Sequence, residues 1–427
     1  MKRAFLALLA AASVVSPGIT LDAQSRRSLP QCDPGNSGLT LPDGFCALVV
    51  TEGVGNARHL VVAENGDVYV SIRDAPDAPG GVIALRDVNG DGRAETQEKF
   101  AEPGGTGIVL HNGYLYMARD DAVVRFPMKE GELLPAGPVE IIVDGFPQQD
   151  IHPTKSLTID AEGGLYVNVG LPSNSCTATE RTRASGLNPC THLERGGGIW
   201  RFDANTTGQM FEREGKRLVT GIRQTNSLRW SPVAKGVYFV QHGRGLLDLW
   251  PEYYSFELNA ENPAEEMFLV VEGANYGFPY CYFDLQQGKR VVSPEYGGDG
   301  KKVGDCSKYP SPVTAFPAHW APNDLLFYTG SQFPKKYYGG ALIAFHGSRN
   351  RRPQGGYTVV FQPMQGRSPA GPYETLVDGF AGVSPIMKRE QALARPIGLA
   401  QGPDGSLYIV DSLKGKVWRV VYTHSRL

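Results

Sequence analysis

Histidine 152 stands in a run of mixed chemistry, Asp150, His152, Thr154 and Lys155, in which a base, a carboxylate and a cation lie within six residues. Imidazole titrates near neutral pH, so His152 is the candidate general base for removing a proton from a hydroxyl group. Asp150, two residues away, is the candidate group to orient it or to stabilise its charge. A second run, Arg223, Gln224, Thr225 and Asn226, joins a guanidinium to two amides. Further isolated groups of the same kind are Arg58 with His59, His319 with Trp320, and Arg395. Buried cations are costly unless paired. If these residues converge, an anionic ligand is the simplest neutraliser, and loop carboxylates such as Asp150, Asp248 or Glu265 are the alternative.

The elements that would make them converge are visible as a repeat. A turn rich in Gly or Asn followed by an alternating apolar–aromatic strand recurs at 64–70, 111–117, 161–167, 234–240, 321–328 and 403–409. An apolar strand precedes each copy. A third strand follows most of them, as at 81–85, 123–126, 198–202, 341–345 and 416–420. Period-two alternation between turns marks strands. Six antiparallel meanders of this kind predict an all-β, six-bladed β-propeller of four-stranded blades. The strand at 45–50 precedes the first full repeat and is expected to complete the last blade, which removes the exposed edges at the join. In a propeller the segments entering the innermost strands meet at one mouth of the central channel, and the residues above occupy those segments in five of six blades. Extra residues at about 171–195, 243–320 and 346–394 exceed the repeat length, and long loops in an ordered fold are commonly functional.

With that order established, the motifs resemble those of the soluble quinoprotein sugar dehydrogenases, the group that includes the sorbosone dehydrogenases. The segments concerned are 150–159 with 164–170, the aromatic 273–281 run (Gly-Ala-Asn-Tyr-Gly-Phe-Pro-Tyr-Cys), the 344–351 loop (Ala-Phe-His-Gly-Ser-Arg-Asn-Arg), and 395–400 with 403–409. The similarity extends from about 41 to 422. It implies pyrroloquinoline quinone (PQQ), a tricarboxylate with a reactive ortho-quinone, together with Ca²⁺. It implies His152 as the base, Arg223 beside the cofactor and Arg351 facing its carboxylates. Arg58, Lys155, Gln224, Asn226, His346, Arg349 and Arg395 are the remaining candidates for holding it. Calcium ligands are expected in the 243–248 loop, from Gly243, Gly245 and Asp248. The chain departs from the family at Arg349, where the loop usually carries tryptophan. The dehydrogenase reading requires His152, Arg223 and Arg351 to surround one pocket. A metal-dependent lactonase would instead need several carboxylates on one metal, and a noncatalytic binding propeller would need neither.

A second metal pattern lies at 87–98. Asp87, Asn89 and Asp91 with Gly92 and Glu98 match the EF-hand loop, although strands flank it and a polar hairpin turn accounts for the same residues. The remaining features concern location. Lys2 and Arg3, an apolar run to Val15 and small residues up to Ala23 predict a secretory signal at 1–23, followed by an extension at 24–40 and the propeller at 41–427. No second long apolar run predicts membrane insertion. Six cysteines in an exported chain favour disulfides, and the sequence-local pairing Cys32–Cys46, Cys176–Cys190 and Cys281–Cys306 is one of fifteen possible. No C-x-x-C spacing supports a haem, so electrons are expected to leave to an external carrier, a cytochrome or a quinone. A formal charge of −2 supplies no basic field for nucleic acid and suits a small sugar substrate in a secreted or periplasmic setting.

Overall fold

The computed structural model describes Met1 and residues 29–423, so the expected signal segment lies outside the described residues apart from Met1. Six antiparallel sheets form the blades. Their innermost strands are Ala57–Val62, Ile108–His111, Leu157–Ile159, Ser227–Ser231, Pro322–Phe327 and Pro396–Gln401. Each of these packs against the innermost strand of the next blade, and the sixth packs against the first, which closes the ring. Blade 6 contains strands from both ends of the described chain. Phe45–Thr51 pairs antiparallel with Val417–Tyr422, with Phe45 opposite Tyr422 and Val49 opposite Trp418. Cys32–Cys46 ties the preceding segment to this closing strand, and Asp33 accepts a hydrogen bond from the Val49 amide at 2.8 Å. All three expected disulfides are present.

The local chemistry of the blades follows the sequence. Asn112 and Gly113, both at positive φ (47° and 77°), make the tight turn between the first two strands of blade 2, the conformation that Asn-Gly favours in hairpins. Apolar residues on the blade faces interlock between neighbours. Tyr116, Val167, Trp200 and Phe211 lie in one buried cluster spanning blades 2 and 3.

Two features differ from the expectation. In blade 5 the sequence reading is one strand out of register. Residues 322–327 are the innermost strand, not the second, and Ala341–Phe345 is the second, not the third. The connection between them, 328–340, is far longer than the turn in the other blades, so the Asn323-Asp324 pair imitated a turn that is not there. Blade 2 also gains a short parallel fifth strand, Gln209–Met210, beside Glu140–Asp144.

The long insertions are built structures. Cys176–Cys190 closes the first, and Cys281–Cys306 braces the hairpin Cys281–Asp284/Lys289–Val292 in the second. Two buried ion pairs, Arg244 with Glu295 and Arg290 with Glu266, anchor that second insertion. Among the described residues, no helix is long and apolar enough to cross a membrane.

Candidate active site

A cavity of about 430 Å³ opens where the innermost strands begin and the second strands end. His152 reaches its wall from the loop before blade 3. Its backbone is left-handed (φ 56°), and its Nδ1 lies 2.7 Å from the Leu171 carbonyl. A carbonyl only accepts, so Nδ1 carries the proton and Nε2 is left bare. Burial, followed by the charge of Arg223, holds the imidazole well below its usual pKa, so it is neutral at physiological pH. Gly170 makes this placement possible. A Cβ there would lie 2.2 Å from the Gln224 Oε1 and 2.7 Å from the His152 Cβ.

The blade 4 residues form the floor. Gln224 Nε2 donates to Thr154 Oγ1 at 2.8 Å, Thr154 Oγ1 donates to Asn226 Oδ1 at 2.9 Å, and Asn226 Nδ2 donates to Asn323 Oδ1 at 2.9 Å. Arg223 stands above them. One Nη donates to Asn174 Oδ1 at 3.1 Å, while its buried Nε has no partner. Desolvation pulls the Arg223 pKa down to about 10, with Glu265 opposing. Across the cavity, Arg395 Nε and Nη2 donate to the carbonyls of His346 (2.9 Å) and Gly347 (2.7 Å), and its pKa is also lowered to about 10 by burial. His346 Nε2 meets Ser412 Oγ at 2.7 Å.

Sequence reasoning did not single out Asn174, Arg181, His242 and Arg389 on this wall. Asn174, from the first insertion, links Arg223 to the Gly245 amide (3.1 Å). Glu265 was visible only as a possible cation partner. It lines the cavity, accepts the amides of Gly243 (2.7 Å) and Ala321 (3.1 Å), and is pushed up to about 7 because burial outweighs those bonds. Arg181 and Arg389 also line the cavity. They sit in insertions whose length was a signal, but neither residue stands in a pattern that marks it.

Several expected residues lie elsewhere. Asp150 is exposed and makes no hydrogen bond to His152, whose orientation comes from the Leu171 carbonyl instead. Arg351 is outside the cavity. It pairs with Glu261 at 2.6 Å and donates to the Ala318 carbonyl at 3.2 Å, in an adjoining cleft that shares Leu246, Arg349 and Asn350 with the main one. So the three residues the dehydrogenase reading requires around one pocket do not all meet there: His152 and Arg223 share it, Arg351 is held by Glu261 in the adjoining cleft, and Arg395 is the second buried guanidinium on the cavity wall instead. Arg58 and Lys155 are absent from the wall. Lys155 is fully buried, donates to the Pro153 carbonyl at 2.5 Å, and is lowered to about 8 by desolvation. Arg58 keeps a buried Nε without a partner. Arg349 is at the rim and exposed.

The expected calcium ligands do not form a donor set. Gly243 and Gly245 line the cavity, but the Gly245 carbonyl already accepts Asn174 Nδ2 and Arg244 Nε, each at 3.2 Å. Asp248 is exposed in the adjoining cleft. Calcium takes six to eight oxygens, and this loop does not assemble them. The 87–98 loop lies at the opposite ends of the blade 1 strands. Its carboxylates gather as Asp87, Asp91 and Glu95, not Glu98, which lies on the outer strand opposite Ala84. Asn89 Nδ2 donates to Glu95 Oε1 at 2.6 Å, and the amides of Gly90 and Gly92 bond Asp87, so the turn is satisfied by its own groups.

Five arginines and one carboxylate therefore line the cavity. An unpartnered buried Nε on Arg223, in a cavity large enough for a flat cofactor-sized molecule, fits a polyanion such as a tricarboxylate. The same wall does not fit a lactonase metal, since Glu265 is its only carboxylate among the described residues.

A family model described as TrAA12-like matches residues 39–423. Solved structures share the fold. The holo form of the pyranose dehydrogenase PQQ domain from Coprinopsis cinerea has a TM-score of 0.72 at 19% identity, covering 90% of this chain and 97% of that one. The calcium structure of the Trichoderma reesei carbohydrate-active enzyme of family AA12 gives 0.73 at 20%, with 90% and 97% covered. The apo soluble aldose sugar dehydrogenase of Escherichia coli gives 0.58 at 14%, with 88% and 99% covered. A curated relative, an uncharacterized protein of Borreliella burgdorferi, is 29% identical over 205 residues, 47% of this chain. The match spans about half of that relative's length (48%).

Proposed function

The chain belongs to the TrAA12-like family, and on that premise we propose that it is an exported quinoprotein dehydrogenase that oxidises a sugar or sugar aldehyde in the central cavity. The observation that carries this reading is His152, a neutral imidazole with its tautomer fixed, on the wall of a cavity dominated by arginine. PQQ, when bound, supplies the quinone that accepts two electrons from the substrate carbon. Arg223 and Arg395 are the residues to hold its carboxylates, and the amide floor of Gln224 and Asn226 supports them from below.

The protein's own part is the proton. The Leu171 carbonyl keeps the Nδ1 hydrogen in place, so His152 Nε2 is the atom that takes the substrate hydroxyl proton. Arg223 discourages imidazolium formation in the resting state, which keeps the base available. Proton transfer by a positioned base contributes about 10²- to 10⁴-fold. Electrons leave to an external carrier, a cytochrome or a quinone. No role is assigned to calcium.

The test is an absorbance titration of the purified protein with PQQ, with and without Ca²⁺, followed by aldoses. Saturable binding and sugar-dependent bleaching that is lost in His152→Ala support the reading. Absence of binding at micromolar cofactor refutes it.

A further inference from the structure

Three arginines at the mouth of the cavity have no structural task. Arg181 comes from the first long insertion, and Arg349 and Arg389 come from the 346–394 insertion. All three line the cavity and all are exposed. Among the described residues, Arg181 and Arg349 have neither an ion pair nor a side-chain hydrogen bond. Arg389 meets only its neighbour Glu390, at 3.7 Å. Arg351, two residues from Arg349, is by contrast locked to Glu261 at 2.6 Å. The same loop thus pairs one arginine and leaves the next free.

These free charges act on the cavity. The field of Arg181 reaches His152 and Arg223, and that of Arg389 reaches His346 and Arg395. Arg349 acts on Arg395. The interior already supplies cations for a tricarboxylate in Arg223 and Arg395, and Glu265 is the only carboxylate on the wall among the described residues. Five guanidiniums against Glu265 and the three carboxylates of such a cofactor leave the entrance positive. Arg349 presents a planar guanidinium, a bidentate donor to carboxylates.

We propose that the substrate is an acidic sugar, a monosaccharide carrying a carboxylate, which Arg181, Arg349 and Arg389 recognise at the rim. The chemistry done on it rests on the dehydrogenase reading, but its recognition does not. Exposed guanidinium–carboxylate contacts contribute up to about fivefold in affinity each, and the three together up to about a hundredfold.

The experiment is isothermal titration of the full chain, supplied with PQQ and Ca²⁺, with D-glucuronate and with D-glucose at low and high salt. It is repeated on the combined Arg181→Gln, Arg349→Gln, Arg389→Gln variant, whose folding is checked by circular dichroism, and on Arg349→Glu. We expect glucuronate to bind at least about tenfold more tightly than glucose, with an advantage that shrinks with salt, disappears in the triple variant and falls in Arg349→Glu. Equal affinities, or an advantage that survives in the triple variant, overturn the proposal. If PQQ does not bind, the dehydrogenase reading fails separately. The same titration without PQQ then still decides the rim: an advantage for glucuronate that the triple variant abolishes upholds it, and any other result overturns it.

Discussion

Lys155 offers a sharp test, because its ammonium is buried with no carboxylate touching it. Its side chain is fully inaccessible, and its Nζ donates to the Pro153 carbonyl at 2.5 Å and reaches Gln149 Oε1 at 3.5 Å. Desolvation lowers its pKa from 10.5 to about 8. That difference disfavours the charged native form by about 3 kcal/mol relative to the unfolded chain at pH 7. Lys155→Met keeps the length and removes the charge. It also leaves the Pro153 carbonyl without its donor, at about 1 kcal/mol, so a net gain of about 2 kcal/mol is expected in urea denaturation at pH 7. The pH dependence has a definite sign. Between pH 8 and 10.5 the unfolded chain binds the proton that the native lysine has lost, so the parent protein gains stability relative to the variant as pH rises through that window. The curves should cross, and above about pH 10.5 the parent should be the more stable by about 1 kcal/mol. A variant no more stable than the parent at pH 7, or a difference that does not change between pH 8 and 10.5, refutes the account of Lys155 as an unpaired buried charge.

Gly170→Ala should lower turnover at least about a hundredfold, because its Cβ would meet Gln224 Oε1 at 2.2 Å and the His152 Cβ at 2.7 Å. The accompanying stability loss should stay within about 1–3 kcal/mol by thermal denaturation. His152 should contribute no inflection near pH 6.5 to rate profiles, since burial and Arg223 hold it well below that value, and any inflection near pH 7 should belong to Glu265 and disappear in Glu265→Gln. Arg223→Gln removes the like charge, so the acid limb should move to higher pH, and an unmoved limb would show that Arg223 does not act on the base. Cys46→Ser, paired with Cys32→Ser, should cost about 3 kcal/mol in chemical denaturation, from release of a loop with a sequence separation of 14. A smaller loss would mean that the contacts of Asp33 and the closing strand hold this segment alone.

The corrections in the site have a common origin. His152 and Arg223 were legible because they sit where a repeat must deliver its side chains, and Arg395 was legible for the same reason in blade 6. Asp150 was close to His152 in sequence, but a neighbour two residues away in a loop points elsewhere, and the carbonyl of Leu171 does the orienting. Arg351 was expected at the ligand and is held by Glu261, which no local pattern connects to it. Blade 5 was misread by one strand because a polar pair inside an innermost strand looks the same as a turn until its partner strand is seen.

What the sequence determined alone is the part governed by short-range chemistry. Alternation, Asn-Gly turns and the repeat length define strands, blades and their number, and the early strand at 45–51 completes the ring. The cysteine count pointed to disulfides, while the structure selected the sequence-local pairing from the fifteen possible. Only the tertiary structure decided which charges are satisfied and which remain open. Lys155 is sealed behind the wall, Arg351 is paired, and Asp248 faces another cleft, while Arg181 and Arg389 arrive at the mouth from distant loops. The reason is physical. Strand formation depends on neighbours along the chain, whereas the partner and solvent exposure of a charged side chain depend on how loops hundreds of residues apart pack over one channel.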